Sequence, residues 1–337
     1  MENLDWANLG FAYSKTPYNV RSTFKNGKWG PIEVSTEEYI PMHISASCLH
    51  YGQEAFEGLK AFRGKDDKIR LFRVEENAKR MINSAKRVKM AEPPVELFVE
   101  AVEKAISLNK DFVPPYGSGA SLYIRPLLIG TGAQIGVKPA DEYMLIVFVM
   151  PVGPYYKAGE KPITGVVMRE YDRAAPNGTG HVKVGGNYAA SIYSGELAHA
   201  RGYDTVLYLD PATKTNIEEA GAANFFGIKG NEYITPNSAS ILPSITNMSL
   251  MQLASDMGMS VQRRAIPLEE LASFDEASAC GTAAVISRIA KIDDVQNGKT
   301  YEFPIKDGSV STKLRQTLQG IQLGDINDKY GWVSFVE

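Results

Sequence analysis

The chain has 337 residues, 44% of them hydrophobic, enough to bury a large core and more than one domain of ordinary size. Its formal charge of −3 comes from 39 acidic and 36 basic residues spread along the chain, without the basic blocks that phosphate-backbone binding needs, so a nucleic-acid partner is not expected. Two cysteines, Cys48 and Cys280, and four histidines without ligand spacing argue against a disulfide framework and a metal site.

The start, Met1 to Trp6, is acidic and carries no charged segment followed by an apolar one, so it does not read as an export signal. Ile69 to Phe72 reads as a strand and Glu75 to Met90 as a helix, with Met81, Ala85 and Val88 at helical spacing. A second helix begins near Pro94, where Leu97, Phe98, Ala101, Val102, Ala105 and Ile106 form one apolar face. Ser121–Gly130 and Tyr143–Met150 are rich in Val, Ile, Leu and Phe, as suits strands buried on both faces. The apolar run Tyr143 to Gly153 is broken by Pro151 and too short for a bilayer, so no membrane partner is expected and a cytoplasmic protein is.

Prolines and glycines then crowd together from Pro151 to Pro162, which predicts a smaller α/β domain over 1–152, a linker over 153–162 and a larger domain over 163–337. Beyond it, strand-like Thr164–Met168 and Asp204–Asp210 bracket a helix from about Asn187 to Arg201, closed by Gly202. Phe225–Lys229, Gly230 Asn231 and Glu232–Thr235 read as a hairpin, since Gly and Asn tolerate the positive φ of tight turns. Thr246–Met257 is a further helix, ended by Gly258. The fold class is therefore α/β, in the mixed α+β sense, with two domains.

Asn177 to Tyr188 is the most informative stretch, because Lys183 stands alone among Gly178, Gly180, Gly185 and Gly186 just before a helix. Glycines let backbone approach a bulky ligand closely. A dinucleotide fingerprint would need its third glycine at Lys183, and no Gly Lys Ser or Gly Lys Thr ends the stretch as a phosphate loop requires. What remains is an amine that acts as nucleophile or base, or else a solvent-exposed lysine in a flexible loop.

Lys183 to Tyr188, with Thr215 to Asn224, closely resembles the branched-chain aminotransferases, which are fold-type IV pyridoxal-phosphate enzymes. The likeness extends to Leu49–Gly64, Ser121–Pro126, Ile241–Pro243 and Gly281–Ala283, in family order over nearly the whole chain. It implies two domains of mixed sheets and helices with pyridoxal 5′-phosphate between them. Lys183 would form the Schiff base, Tyr188 would bond the phenolic oxygen, and Glu219 would face the pyridine nitrogen, keeping it protonated so that the ring withdraws electrons. Glu218 is the competitor, but Glu219 lies five residues before Asn224, as the family pattern requires; outside the resemblance either glutamate reads as a surface strand residue. Ile245 and Thr246, at a helix start, would bind the phosphate with Arg80 and Thr282, and Thr282 and Ala283 would border the substrate carboxylate.

By the same resemblance, Phe11, Tyr51, Phe56 and Tyr123 match the aromatic walls of the substrate pocket, and Arg125 the arginine that holds the distal carboxylate of glutamate or 2-oxoglutarate. Ile135 and Val137 correspond to loop residues donated by a second subunit, which implies a homodimer. A redox Cys-x-x-Cys found in some members is absent, its positions being Ala284 and Ser287. The implied activity is a ping-pong transfer of the amino group of leucine, isoleucine or valine to 2-oxoglutarate. A D-amino acid aminotransferase or an aminodeoxychorismate lyase would reuse the lysine and the glutamate, and a non-catalytic cofactor-storage protein is the rival outside enzymes.

Overall fold

A computed structural model describes residues 4–153 and 161–337. Its contacts divide the chain into two compact units, one holding the described part of 1–157 with Val182–Gly185 and Gly320–Glu337, the other the described part of 158–181 with Gly186–Gln319. Two short segments thus depart from the single expected boundary, and residues 154–160 of the expected linker lie outside the described residues. The departures have causes. Val182 and Val184 are buried in the first core, and the C-terminal strand pairs with Ile69–Phe72.

The strands and helices in chain order are β1 (Asn19–Lys25), β2 (Lys28–Trp29), β3 (Glu33–Ser35), α1 (Ser47–Tyr51), β4 (Glu54–Phe56), β5 (Leu59–Arg63), β6 (Ile69–Phe72), α2 (Val74–Arg87), α3 (Val95–Leu108), β7 (Ser121–Gly130) and β8 (Tyr143–Val152). They are followed by β9 (Ile163–Val167), α4 (Gly185–Ala200), β10 (Thr205–Leu209), β11 (Ile217–Ala220), β12 (Ala223–Lys229), β13 (Glu232–Pro236), α5 (Ile245–Asp256), β14 (Ser260–Arg264), β15 (Glu276–Gly281), β16 (Val285–Asp294), β17 (Lys299–Glu302), α6 (Val310–Leu323) and β18 (Val333–Val336).

In the first unit a nine-stranded antiparallel sheet runs β18-β6-β5-β7-β8-β1-β2, with β3 on β1 and β4 on β7. β7 and β8 pair over their whole length, from Ser121 opposite Val152 to Gly130 opposite Tyr143, and are buried almost throughout. Ala78, Met81 and Ala85 of α2 and Phe98, Val102 and Ile106 of α3 pack with Leu71, Leu122, Ile124 and Leu145 in one core. Emptying a site such as Phe98, which has no exposed surface, costs about 3–5 kcal/mol.

α2 stops at Arg87, before the expected Met90. Lys89 takes φ +54°, its N–H bonds the Lys86 carbonyl at 3.2 Å, and the Met90 N–H bonds that of Ala85 at 2.9 Å. This is a Schellman ending with lysine in the place glycine usually fills. α4 and α5 end the same way on the expected Gly202 and Gly258, at φ +83° and +80°.

In the second unit β9, α4 and β10 form a parallel crossover unit. The pairings β11-β10-β9-β16-β15-β12 return from β12 to β11, so these strands close on themselves; β13 and β14 extend beyond β12, and β17 lies on β16. The hairpin turn between β12 and β13 uses positive φ only at Gly230, not at Asn231. No helix among the described residues is long and apolar enough to cross a membrane.

Candidate functional site

Lys183 lies between two valines that point into the first core, and strand-like alternation turns its side chain the other way. Its backbone is fixed on both sides: the Lys183 N–H donates to Ser84 Oγ at 2.9 Å, and its carbonyl accepts from the Phe56 N–H at 3.1 Å. Nζ stands over the Phe56 ring, 4.7 Å from its centroid. Burial, reinforced by the Arg80 charge, pulls the Lys183 amine down to about 8; Glu57 and Tyr123 oppose that shift, and Arg125 adds to it. The amine is thus far easier to deprotonate than a solvated lysine, and the flexible-loop reading fails.

Two of the glycines around it, Gly180 and Gly185, serve the chain's own packing, which corrects their expected role. A Cβ at Gly180 would strike the Ser240 carbonyl, one at Gly185 would strike the Glu54 carboxylate, and Gly186 faces open space. Glu54 accepts the Gly185 amide; burial raises its carboxyl, against which Gly185 and Arg125 act.

Successive odd positions of β7 put Tyr123 and Arg125 on one face. Arg125 donates from Nη2 to the Tyr123 hydroxyl at 2.9 Å and lies 4.9 Å from the Phe56 ring centroid, so Phe56 meets the cations of both Arg125 and Lys183. Phe11 packs edge-on against Tyr123 at 5.0 Å. Tyr51 donates its hydroxyl to the Ile135 carbonyl. Ile135 and Val137 are 66% and 85% exposed.

Arg80 is no solvated cation on a helix face. Its Nε and Nη2 donate to the two oxygens of Glu57 at 2.7 and 2.8 Å, and Glu57 has no exposed surface. Neither Glu57, Glu54 nor Ser84 stood out in the sequence. Glu57 and Glu54 lie inside the Leu49–Gly64 stretch, but nothing in the order of residues says that a carboxylate there is buried.

The second unit carries the other residues. Glu218 and Glu219 are both 3% exposed on β11, so neither is a surface strand residue. They face opposite ways. Glu218 accepts the Ser238 hydroxyl, whereas Glu219 pairs with Arg173 at 2.6 Å and accepts from Asn224 Nδ2 at 2.8 Å and the Leu242 N–H at 3.3 Å. Glu219 and Asn224 are direct cross-strand partners, which is the physical content of their five-residue spacing. Arg173 also donates to the carbonyls of Gly180 and Ser240 and gave no sequence signal, being a lone arginine between Asp172 and Ala174.

From Asn224 the network continues to α5. Asn247 donates to Asn224 Oδ1 at 3.2 Å and to Thr235 at 2.9 Å, and accepts from Tyr233 at 2.7 Å. Ser244 caps the helix by accepting the Asn247 N–H, and Ile245 and Thr246 supply first-turn N–H groups that no helical carbonyl can reach. Tyr188 lies in the first turn of α4, and Thr282 and Ala283 in the turn between β15 and β16, all partly buried. Thr179 and Asn187 exchange two hydrogen bonds of 2.7 Å that bracket the lysine segment.

Residues 54–292 match the family model described as amino-transferase class IV. The chain is 49% identical to the branched-chain-amino-acid aminotransferase of Haemophilus influenzae over 346 residues, covering all of both chains. It is 48% identical to that of Helicobacter pylori, over 99% of this chain and 98% of the relative. Its structure is similar to that of the Escherichia coli branched-chain amino acid aminotransferase, with a TM-score of 0.78 at 29% identity over 94% of this chain and 99% of that one. It is also similar to the branched-chain aminotransferase of the thermophilic archaeon Thermoproteus uzoniensis with norvaline, with a TM-score of 0.77 at 25% identity over 94% of this chain and 100% of that one.

Proposed function

The chain belongs to the amino-transferase class IV family and is an aminotransferase of branched-chain amino acids, and we propose that it works through pyridoxal 5′-phosphate with Lys183 as nucleophile and proton carrier. The observation that carries this reading is a buried amine brought down to about 8 between fixed backbone bonds. Each residue type suits a part of the cofactor by its own chemistry: an amine for an aldehyde, a buried carboxylate at Glu219 for a ring nitrogen, and a guanidinium at Arg80 or free N–H groups at the start of α5 for a phosphate. Residues that would hold it are Arg80, Lys183, Tyr188, Glu219, Ile245, Thr246 and Thr282. Bound, the group supplies a carbonyl carbon for amines to condense with and a ring that withdraws electrons from the substrate α-carbon.

Everything else falls to the chain. Lys183 would take the proton from the substrate α-carbon as an uncharged base. Glu219, itself held by Arg173 and Asn224, keeps a proton at the ring nitrogen. Phe11, Tyr51, Phe56 and Tyr123 give an apolar wall for leucine, isoleucine or valine, and Arg125 receives the distal carboxylate of 2-oxoglutarate. Thr282 and Ala283 border the α-carboxylate. The exposure of Ile135 and Val137 supports a homodimer in which Ile135 of the partner subunit and Val137 of the partner subunit complete the pocket. The products are a branched 2-oxo acid and L-glutamate.

The test is a coupled assay of L-leucine with 2-oxoglutarate beside D-alanine with 2-oxoglutarate, followed by borohydride reduction of the reconstituted enzyme and peptide mapping. Leucine turnover with the label on Lys183 is expected. D-alanine as the better donor, or a label on another lysine, overturns the reading.

A further inference from the structure

Glu57 is a carboxylate side chain with no exposed surface, on a segment that also buries Ala55, Leu59, Lys60 and Ala61. Its two oxygens take the Nε and Nη2 edge of Arg80 at 2.7 and 2.8 Å, while Asn77 Nδ2 at 2.8 Å and the Gly58 N–H at 3.2 Å hold the second oxygen. The Glu57 N–H is tied to the Pro126 carbonyl at 2.8 Å, so the carboxylate has little freedom to move. Asn77 and Arg80 are three residues apart on one face of α2, and Ser84, one turn on, links the Arg80 carbonyl to the Lys183 amide.

A buried ion pair of this kind gains little stability over apolar residues of the same size. What it does provide is direction. A two-pronged carboxylate fixes the plane of a guanidinium, whereas a lone arginine on a helix swings through several rotamers. We propose that Glu57, clamped by Asn77, is a positioning residue that holds Arg80 in the orientation in which it meets a phosphate monoester. This rests on the reading of Arg80 as the arginine of the cofactor phosphate.

Orientation and charge make opposite forecasts. If Glu57 merely lowered the local positive charge, Glu57→Gln would tighten binding of a phosphate dianion. If it positions Arg80, the same change weakens it, because the amide turns an N–H toward the guanidinium N–H groups. The experiment compares the full-length apoprotein binding pyridoxal 5′-phosphate with its binding of pyridoxal, which lacks the phosphate, by absorbance titration. Glu57→Gln is expected to weaken the phosphorylated form on the order of 10-fold to 100-fold more than pyridoxal, the scale of a lost hydrogen bond to a charged group, since the loss of the Glu57 charge near the Lys183 amine bears on both ligands alike. Asn77→Ser, a milder change that keeps the carboxylate, is expected to act in the same direction with a smaller loss.

Equal losses for both ligands, or unchanged or tighter binding of the phosphorylated form by both variants, overturn the proposal. Arg80→Ala separates the two readings. A phosphate-specific loss there with none in Glu57→Gln or Asn77→Ser sinks Glu57 alone, while no phosphate-specific loss in Arg80→Ala removes the Arg80 reading and Glu57 with it.

Discussion

The backbone amide of Lys183 donates to the Ser84 hydroxyl oxygen at 2.9 Å, and that hydroxyl donates in turn to the Arg80 carbonyl at 3.0 Å. One fully buried serine therefore ties the lysine segment to the helix that carries Arg80. Ser84→Ala would leave the Lys183 N–H without its acceptor, a cost of about 1–3 kcal/mol. A fall in thermal midpoint together with a drop in kcat is expected, with Ser84→Thr restoring part of both. If Ser84→Ala matches the parent in kcat and midpoint, the link has no functional weight.

The amine of Lys183 gives a pH signature. Its value in the folded chain, about 8, lies below the ordinary 10.5, with burial first and the Arg80 charge second among the causes. The charged form is thus penalised by folding: the penalty is present in full below pH 8 and is relieved as pH rises from about 8 to 10.5. Between those values the apoprotein should gain stability to urea relative to a Lys183→Met variant, with a slope of up to about 1.4 kcal/mol per pH unit. Labelling of Lys183 by an amine-selective reagent should reach half its maximal rate near pH 8. A midpoint near 10 would mean that the amine is solvated.

Glu218 and Glu219 offer a paired comparison, since both are buried and their partners differ. Glu219→Gln removes the charge that Arg173 and Asn224 hold in place, and a loss of kcat on the order of 100-fold is expected. Glu218→Gln alters the Ser238 contact and a longer-range interaction with Arg173, not the Asn224 network, and should cost a few-fold at most. Arg173→Met would leave the Glu219 charge buried without its ion-pair partner, destabilising the fold by about 3–5 kcal/mol. Steady-state rates and denaturant midpoints decide all three, and equal kcat losses in the two glutamate variants would reassign the site.

What could be read in the sequence follows the range of the interaction. Helix ends at Gly202 and Gly258 were legible because glycine marks the left-handed position, while the same ending at Lys89 carried no mark. The preference for Glu219 over Glu218 comes from the family resemblance; what the fold adds is that Asn224, five residues on, is the direct cross-strand partner of Glu219 across a two-residue turn. Glu57 and Arg80, 23 residues apart, and Arg173 and Glu219 meet only after the chain has folded. The return of Val333–Val336 to Ile69–Phe72 is of the same kind, and no periodicity along the chain announces it. The glycines near Lys183 drew attention to that segment as places for a ligand to approach, but packing gives two of them another reason: Gly180 and Gly185 make room for Ser240 and Glu54.

Arg125 is where substrate choice can be tested. Its guanidinium lies over Phe56 at 4.9 Å and Tyr123 at 5.3 Å and donates to the Tyr123 hydroxyl, so a cation is braced by aromatic surface that suits an apolar side chain. A branched aliphatic substrate gains from the rings alone, whereas the distal carboxylate of glutamate needs the charge. Arg125→Ala should therefore raise KM for 2-oxoglutarate and glutamate by about 10-fold or more, the scale of a charged hydrogen bond, and raise KM for leucine by only a few-fold. Arg125→Lys keeps the charge but loses the planar stacking and should fall between them. The decisive quantity is the ratio of kcat/KM for glutamate to that for leucine, and a ratio unmoved by Arg125→Ala would place the carboxylate recognition elsewhere.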